Sequence, residues 1–206
     1  MGRRADHSRD ELFEMALSAA REIAEEDGLG GLTARRIAAK IGYSAGTLYN
    51  LFDDLDDLIV HLNGRTLDSL YEALATAPGD NDPEADLLAL AQGYIAFTRA
   101  NAKLWNLLFE HHRPGERLLP DWHHQKIGRL LGLMDECLVP FFGPGREAER
   151  NHTARVLWSS LHGMCLLQTE KKLILDEPIE AMATSLVKYY LAGLRTSTAE
   201  SAGGKT

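Results

Sequence analysis

Residues 32–52 read Leu32-Thr33-Ala34-Arg35-Arg36-Ile37-Ala38-Ala39-Lys40-Ile41-Gly42-Tyr43-Ser44-Ala45-Gly46-Thr47-Leu48-Tyr49-Asn50-Leu51-Phe52. Thr33 is a helix-capping residue type, and Ile37, Ala38 and Ile41 then recur at helical spacing. Gly42 stops that helix, because glycine adopts a left-handed backbone without a Cβ penalty. Ser44 caps a second short helix over residues 45–51. The stretch therefore predicts two short helices joined at a tight turn, the arrangement of a helix-turn-helix. Leu48, Leu51 and Phe52 fall on the inner side of the second helix. Ala45, Gly46, Thr47, Tyr49 and Asn50 are left to face outward. A short helix with a polar and aromatic outer surface fits a major groove about 12 Å wide. Arg35, Arg36 and Lys40 add positive charge beside it, and Arg3, Arg4 and Arg9 form a basic N-terminal arm.

Working outward, the whole chain reads as helix. Ser8 with Glu11 forms a capping box that opens a first helix, with Leu12, Phe13, Ala16, Leu17, Ala20, Ile23 and Ala24 on one face and Gly28 as its stop. A fourth helix begins at Asp53 or Asp54 and runs through Leu58, Leu62 and Leu70 to about residue 75. The run Ala77-Pro78-Gly79-Asp80-Asn81-Asp82-Pro83 breaks the pattern, and Asp82-Pro83 has the form of a cap followed by a first-turn proline. Further helices are expected over 84–100, 102–111, 119–142, 146–171 and 177–195. Arg113-Pro114-Gly115, Gly143-Pro144-Gly145 and Asp176 separate them. The expected architecture is all-α: a DNA-binding domain over 1–52, a larger helical domain over 53–195, and a disordered polar tail over 196–206.

The chain of 206 residues is 45% hydrophobic and 25% charged, as in ordinary globular proteins. No apolar run approaches the roughly 20 residues of a membrane span, and the charged N-terminus lacks a secretory signal, so a cytoplasmic protein is expected. A net charge of −8 is unusual for a DNA binder, but it is unevenly spread. Residues 1–52 hold seven Lys/Arg and eight Asp/Glu, whereas residues 53–206 hold fifteen and twenty-two. The sign of one face, not of the chain, decides nucleic-acid binding. Cys137 and Cys165 sit inside apolar helical patterns and read as small buried hydrophobes. No nucleophile elbow, phosphate loop, dinucleotide fingerprint or zinc-protease motif occurs, so no enzyme and no cofactor is expected. His111, His112, His123 and His124 do not form a metal site on this reading, because adjacent helical residues point about 100° apart. A helical protein-binding module, using the acidic run at Asp53 as its contact surface, is the remaining alternative.

The stretch from Leu32 to Phe52 resembles the TetR family of regulators, and the all-helical remainder is similar to that family's ligand and dimerisation domain. Trp158-Ser159-Ser160-Leu161-His162-Gly163 resembles the signature of its subgroup with a WHG-type C-terminal domain. The resemblance implies a sequence-specific repressor that leaves a palindromic operator when a small apolar or amphipathic effector binds. It implies that Thr33 and Ser44 meet phosphates, Arg35 a phosphate or a guanine edge, and Tyr43 the backbone, with Thr47, Tyr49 and Asn50 in the groove of double-stranded DNA. Phe97, Trp105, Phe109, Trp122, Trp158 and His162 become candidates for the effector cavity, although large side chains of this kind also build simple cores. The last two helices, through Leu157, Leu161, Met182, Leu186 and Tyr190, would join a symmetry mate in a homodimer. The same apolar stripes would serve a monomer core. One departure stands out: family members carry a phosphate-binding lysine at the start of the fourth helix, where this chain has Leu55 within Asp53-Asp54-Leu55-Asp56-Asp57.

Overall fold

The computed structural model describes residues 7–76, 82–111, 118–169 and 177–203. Arg3, Arg4, His112, Arg113-Pro114-Gly115, Asp176 and most of the Ala77–Pro83 break lie outside them. Among the described residues the elements are α1 (Arg9–Asp27), a 3-10 turn (Leu29–Gly31), α2 (Ala34–Ile41), α3 (Ala45–Leu48), α4 (Leu55–Ala75), α5 (Pro83–Ala100), α6 (Ala102–Glu110), α7 (Asp121–Leu138), a second 3-10 turn (Val139–Phe141), α8 (Glu147–Thr169) and α9 (Ile179–Gly203), with no strand. The chain resolves into two compact units. The first comprises Met1–Asp68 and Asn101–His124, the second Ser69–Ala100 and Gln125–Thr206.

The first unit is built by local signals that the sequence carries openly. Ser8 caps α1 through a reciprocal pair: the Glu11 backbone N–H donates to Ser8 Oγ at 3.2 Å, and the Ser8 N–H donates to Glu11 Oε2 at 2.6 Å. Thr33 Oγ1 accepts from the Arg36 N–H at 3.2 Å and Ser44 Oγ from the Thr47 N–H at 3.3 Å, so each short helix starts on its expected cap. Gly42 ends α2 at φ 78°, ψ 24°, and the Tyr43 N–H reaches back to the Ala38 carbonyl at 2.9 Å. Ala16, Ala20, Ile23, Ile37, Ala38, Leu48, Phe52, Leu58 and Leu62 form one buried cluster. Leu104 and Leu107 of α6 belong to the same cluster, which is why the first unit does not end at residue 52: α6 packs on α1. The division falls inside α4, beyond the expected boundary.

The second unit is a helical bundle of α5, α7, α8, α9 and the end of α4. Leu87, Met134, Leu138, Ala154, Leu157, Val187 and Leu191 form its buried core. Asp82 caps α5 as expected, its Oδ1 accepting from the Glu84 N–H at 3.1 Å. Ion pairs tie the helices at their rims: Arg99 to Glu180, Arg195 to Glu84 at 3.0 Å, and Arg150 to Asp135 at 2.9 Å. Cys165 is buried as expected whereas Cys137 is only partly so, and burial pushes both thiols up to about 11, which disfavours the reactive thiolate. Two elements differ from expectation. Regular α3 geometry ends at Leu48, and residues 49–52 continue as turns. The expected disordered tail is instead helical through Gly203, since its alanines and Glu200 are compatible with helix even without an apolar stripe.

The left-handed backbone at Gly42 gives a direct test. Gly42→Ala should cost about 1–2 kcal/mol, whereas Gly46→Ala, inside α3 with only Ser44 Oγ within contact at 3.6 Å, should be neutral or stabilising by up to about 1 kcal/mol. Urea denaturation of both variants, read as a shift in midpoint at unchanged slope, distinguishes them.

Candidate nucleic-acid interface

The surface of α2 and α3 is set by what their inner faces bury. Ile37, Ala38 and Leu48 are at most 2% exposed, leaving Thr33, Arg35, Arg36, Ser44, Tyr49 and Asn50 exposed and Tyr43, Ala45 and Thr47 partly so. Tyr49 is 55% exposed, and its side chain has no hydrogen bond or ring contact among the described residues. A phenol held out in this way is uncommon for a large aromatic, which gains more from burial. Thr47 Oγ1 lies 3.1 Å from Ser44 Oγ, so the two hydroxyls form one polar pair at the start of α3. The Tyr43 hydroxyl meets His7 Nδ1 at 2.8 Å, which fastens the chain just before α1 to the turn between α2 and α3.

The three cations beside α3 are not equivalent. Arg36 is bound by Asp27 and, at 3.4 Å, by Glu26, both at the end of α1. Lys40 pairs with Glu22 at 2.8 Å, and that hydrogen bond holds its ammonium above the ordinary lysine range. Arg35 is exposed and makes no ion pair or hydrogen bond among the described residues. Sequence spacing gave Arg35 and Arg36 the same role; the acidic last turn of α1 separates them. Arg9, expected in a basic arm, is the first residue of α1.

The acidic run after Phe52 is drawn into the start of α4. Asp54 Oδ1 accepts from the Asp57 N–H at 2.8 Å, and Asp57 Oδ2 accepts from the Asp53 N–H at 3.2 Å. Asp56 Oδ1 lies 2.8 Å from Nε2 of His111, whose side chain is 6% exposed, and Asp57 Oδ1 lies 3.9 Å from His61 Nε2. His61 in turn stacks on Trp122 at 5.0 Å and meets Phe13 and Phe52 edge-on, while those two rings stack at 4.7 Å. Burial lowers the His61 pKa. Most of these carboxylates therefore serve the cap of α4 and the histidines, which weakens their reading as a protein-docking face. Leu55 packs against the buried cluster and offers no phosphate contact.

The effector candidates separate. Trp105 is fully buried in the first unit with Phe109 against it at 5.1 Å, and Trp122 stacks on His61; none of the three lies in the bundle of the second unit. Phe97 is buried on α5 but lines no described cavity. Trp158 does line one, of about 20 Å³, and stacks on His162 at 5.1 Å. That volume holds about one water molecule and is far below the ~300 Å³ of a ligand pocket. Of the dimer candidates, Leu157 and Leu161 are 3% exposed and turn into their own unit. Met182, Leu186 and Tyr190 line an open groove with Met164, Glu177, Ser185 and Tyr189, while Leu186 and Tyr190 also pack against the bundle core. Periodicity shows that α8 is apolar on more than one side but not which side faces its own bundle. His111 is committed to Asp56, His123 is buried and His124 exposed, and no three metal-ligating residues gather among the described residues.

Comparison with known proteins agrees with this geometry. Residues 16–62 match the family model described as bacterial regulatory proteins, tetR family, and residues 87–190 match that of the tetracyclin repressor-like C-terminal domain. An uncharacterized HTH-type transcriptional regulator of Bacillus subtilis, YobS, is 24% identical over 87% of this chain and 91% of its own. A TetR-family transcriptional regulator from Streptomyces coelicolor shares the fold at a TM-score of 0.64 and 21% identity, over 91% of this chain and 99% of that one. The regulator FadR of Bacillus subtilis, solved in complex with stearoyl-CoA, shares it at a TM-score of 0.63 and 14% identity, over 85% and 96%. With one family model on the helices that expose Arg35 and Tyr49 and the other spanning half the chain, the protein belongs to the TetR family of DNA-binding transcriptional regulators.

Proposed function

We propose that this chain is a cytoplasmic repressor that binds a near-palindromic operator as a homodimer and is released by a small apolar or amphipathic effector. The observation that carries the reading is an Arg35 guanidinium unpaired among the described residues beside the outward Tyr49, Thr47 and Asn50, while Arg36 and Lys40 are neutralised by α1. Arg35 then supplies the charge that meets a phosphate or a guanine edge, and Tyr49 and Asn50 supply contacts within the groove. Arg36 positions α2 on α1 and is not a principal DNA contact. Among the described residues no helix is long and apolar enough to cross a membrane.

A two-fold dimer would set its recognition helices about 34–36 Å apart, one turn of DNA. The groove lined by Met164, Met182, Leu186, Tyr189 and Tyr190 is the face that favours such pairing, because Tyr189 is 70% exposed beside partly buried apolar neighbours. The tight interior of the second unit belongs, on this reading, to the effector-free, operator-binding form. The fold neighbour bound to stearoyl-CoA supports an amphipathic effector class.

Sequencing the DNA fragments that the purified protein retains should return an inverted repeat; fragments without a common sequence would contradict the proposal. On that operator, Arg35→Ala should weaken binding by about 10-fold or more and lower the slope of log K against log salt by about one per protomer. Arg36→Ala should leave the slope within about half that change. Tyr49→Ala should weaken specific binding with the slope unchanged. Equal slopes for the Arg35 and Arg36 variants in gel shifts across a salt series would show the assignment to be wrong. Tyr189→Asp should convert a dimer to a monomer in sedimentation; a variant that stays dimeric places the interface elsewhere.

A further inference from the structure

The second unit holds two small voids near its centre. One, of about 20 Å³, lies among leucines of α4, α5 and α7, with Tyr94 and Trp158 on its wall. The other, of about 10 Å³, lies between α5, α8 and α9, bounded by residues such as Leu87, Ala183 and Val187. Met134 and Leu161 are the side chains common to both walls. Methionine is unbranched and turns about three bonds at little cost, so Met134 is the side chain whose rotation would connect the two voids, with the surrounding helices yielding to give a chain its width. The channel opened in this way would be long, narrow and lined almost entirely by aliphatic carbon.

One polar residue, Tyr94, stands on the wall of the first void, and its hydrogen-bond partner His162 lines neither. Tyr94 is 3% exposed, and its hydroxyl shares a 2.9 Å hydrogen bond with His162 Nδ1. The imidazole lies against the face of Trp158, and burial lowers its pKa, so it stays neutral near pH 7. No charged side chain lines either void. A buried carboxylate or ammonium would find no counter-charge there, and desolvating it would cost more than one neutral hydrogen bond returns. A hydroxyl, ester or amide loses far less and can insert into the Tyr94–His162 bond. A cage-shaped ligand of equal carbon count is wider at every point than an alkyl chain, so it would have to part the helices further to enter.

We propose that the second unit takes a single unbranched alkyl chain with an uncharged, hydrogen-bonding head group, the chain passing Met134 and Leu161 and the head meeting Tyr94 and His162. The inference rests on the effector reading above and narrows it to one ligand class. It is tested with three probes of equal carbon count, 1-decanol, decanoate and 1-adamantanol, by thermal unfolding and titration calorimetry of the full chain at pH 7.5. A gel shift on the same preparation checks operator binding separately. At about a hundred-fold excess over its dissociation constant, 1-decanol should raise the midpoint by about 5 °C or more, with decanoate and 1-adamantanol leaving it unchanged. Tyr94→Phe should weaken 1-decanol about five-fold, and Met134→Phe, which fills the junction, should abolish the shift if the variant unfolds cooperatively. Binding of decanoate or 1-adamantanol as tight as that of 1-decanol overturns the ligand class. No response to any probe from protein that still binds its operator overturns it too, while leaving the regulator reading in place. Binding of 1-decanol that leaves operator binding unchanged would leave the ligand class standing and overturn the release reading alone.

Discussion

The recognition surface depends on the burial of Leu48 and Phe52 behind a helix too short to stand alone. A single turn such as α3 has no stability of its own, since helix nucleation fixes several residues before any hydrogen bond offsets the entropy. It is held instead by the Ser44 cap at one end, the left-handed Gly42 before it, and Leu48 and Phe52 sunk into the cluster shared by α1, α2, α4 and α6. The inner side is thereby consumed and the outer side is free. Tyr49, Asn50 and Arg35 need satisfy no packing demand of the protein, so they can be spent on a partner. The stack of Phe13, Phe52, His61 and Trp122 extends the same anchoring into the first turns of α4 and α7.

Charge is managed at equally close range. A chain with net charge −8 has to keep its acids away from a polyanion, and this one does so by pairing them. Glu22, Glu26 and Asp27 of α1 take up Lys40 and Arg36, while Asp54, Asp56 and Asp57 are turned to the start of α4 and to His61 and His111. The exposed pairs are worth little as stability, because solvent screens them. Their effect is to select which cation remains available: of three adjacent basic residues, Arg35 is left unpaired among the described residues.

Much of this was legible in the sequence because it is encoded by local chemistry. Ser8, Thr33, Ser44 and Asp82 each cap the helix their spacing predicted, and Gly42 takes the left-handed turn. What the sequence could not supply was the choice of tertiary partner. Helical spacing gives α6, yet nothing local states that it packs on α1, which is why Trp105 and Phe109 could be read either as cavity lining or as core. Leu157 and Leu161 belong to a helix apolar on two sides, and only the packed bundle shows that they face inward. Arg36 and Lys40 looked equivalent to Arg35 until α1 was seen to bring its acids across. Leu48 ends α3 early because the residues after it turn to bury Phe52, a tertiary demand that overrides the local helix pattern.

In both units, then, polar side chains stand out because apolar ones around them are fully used: Arg35 and Tyr49 on a surface, Tyr94 and His162 inside a bundle. The most direct check of the first is hydrogen exchange of the full chain with and without DNA that it has selected. Backbone amides of residues 33–50 should gain the strongest protection, led by the turn and α3. Protection that leaves those amides unchanged while appearing elsewhere would contradict the account.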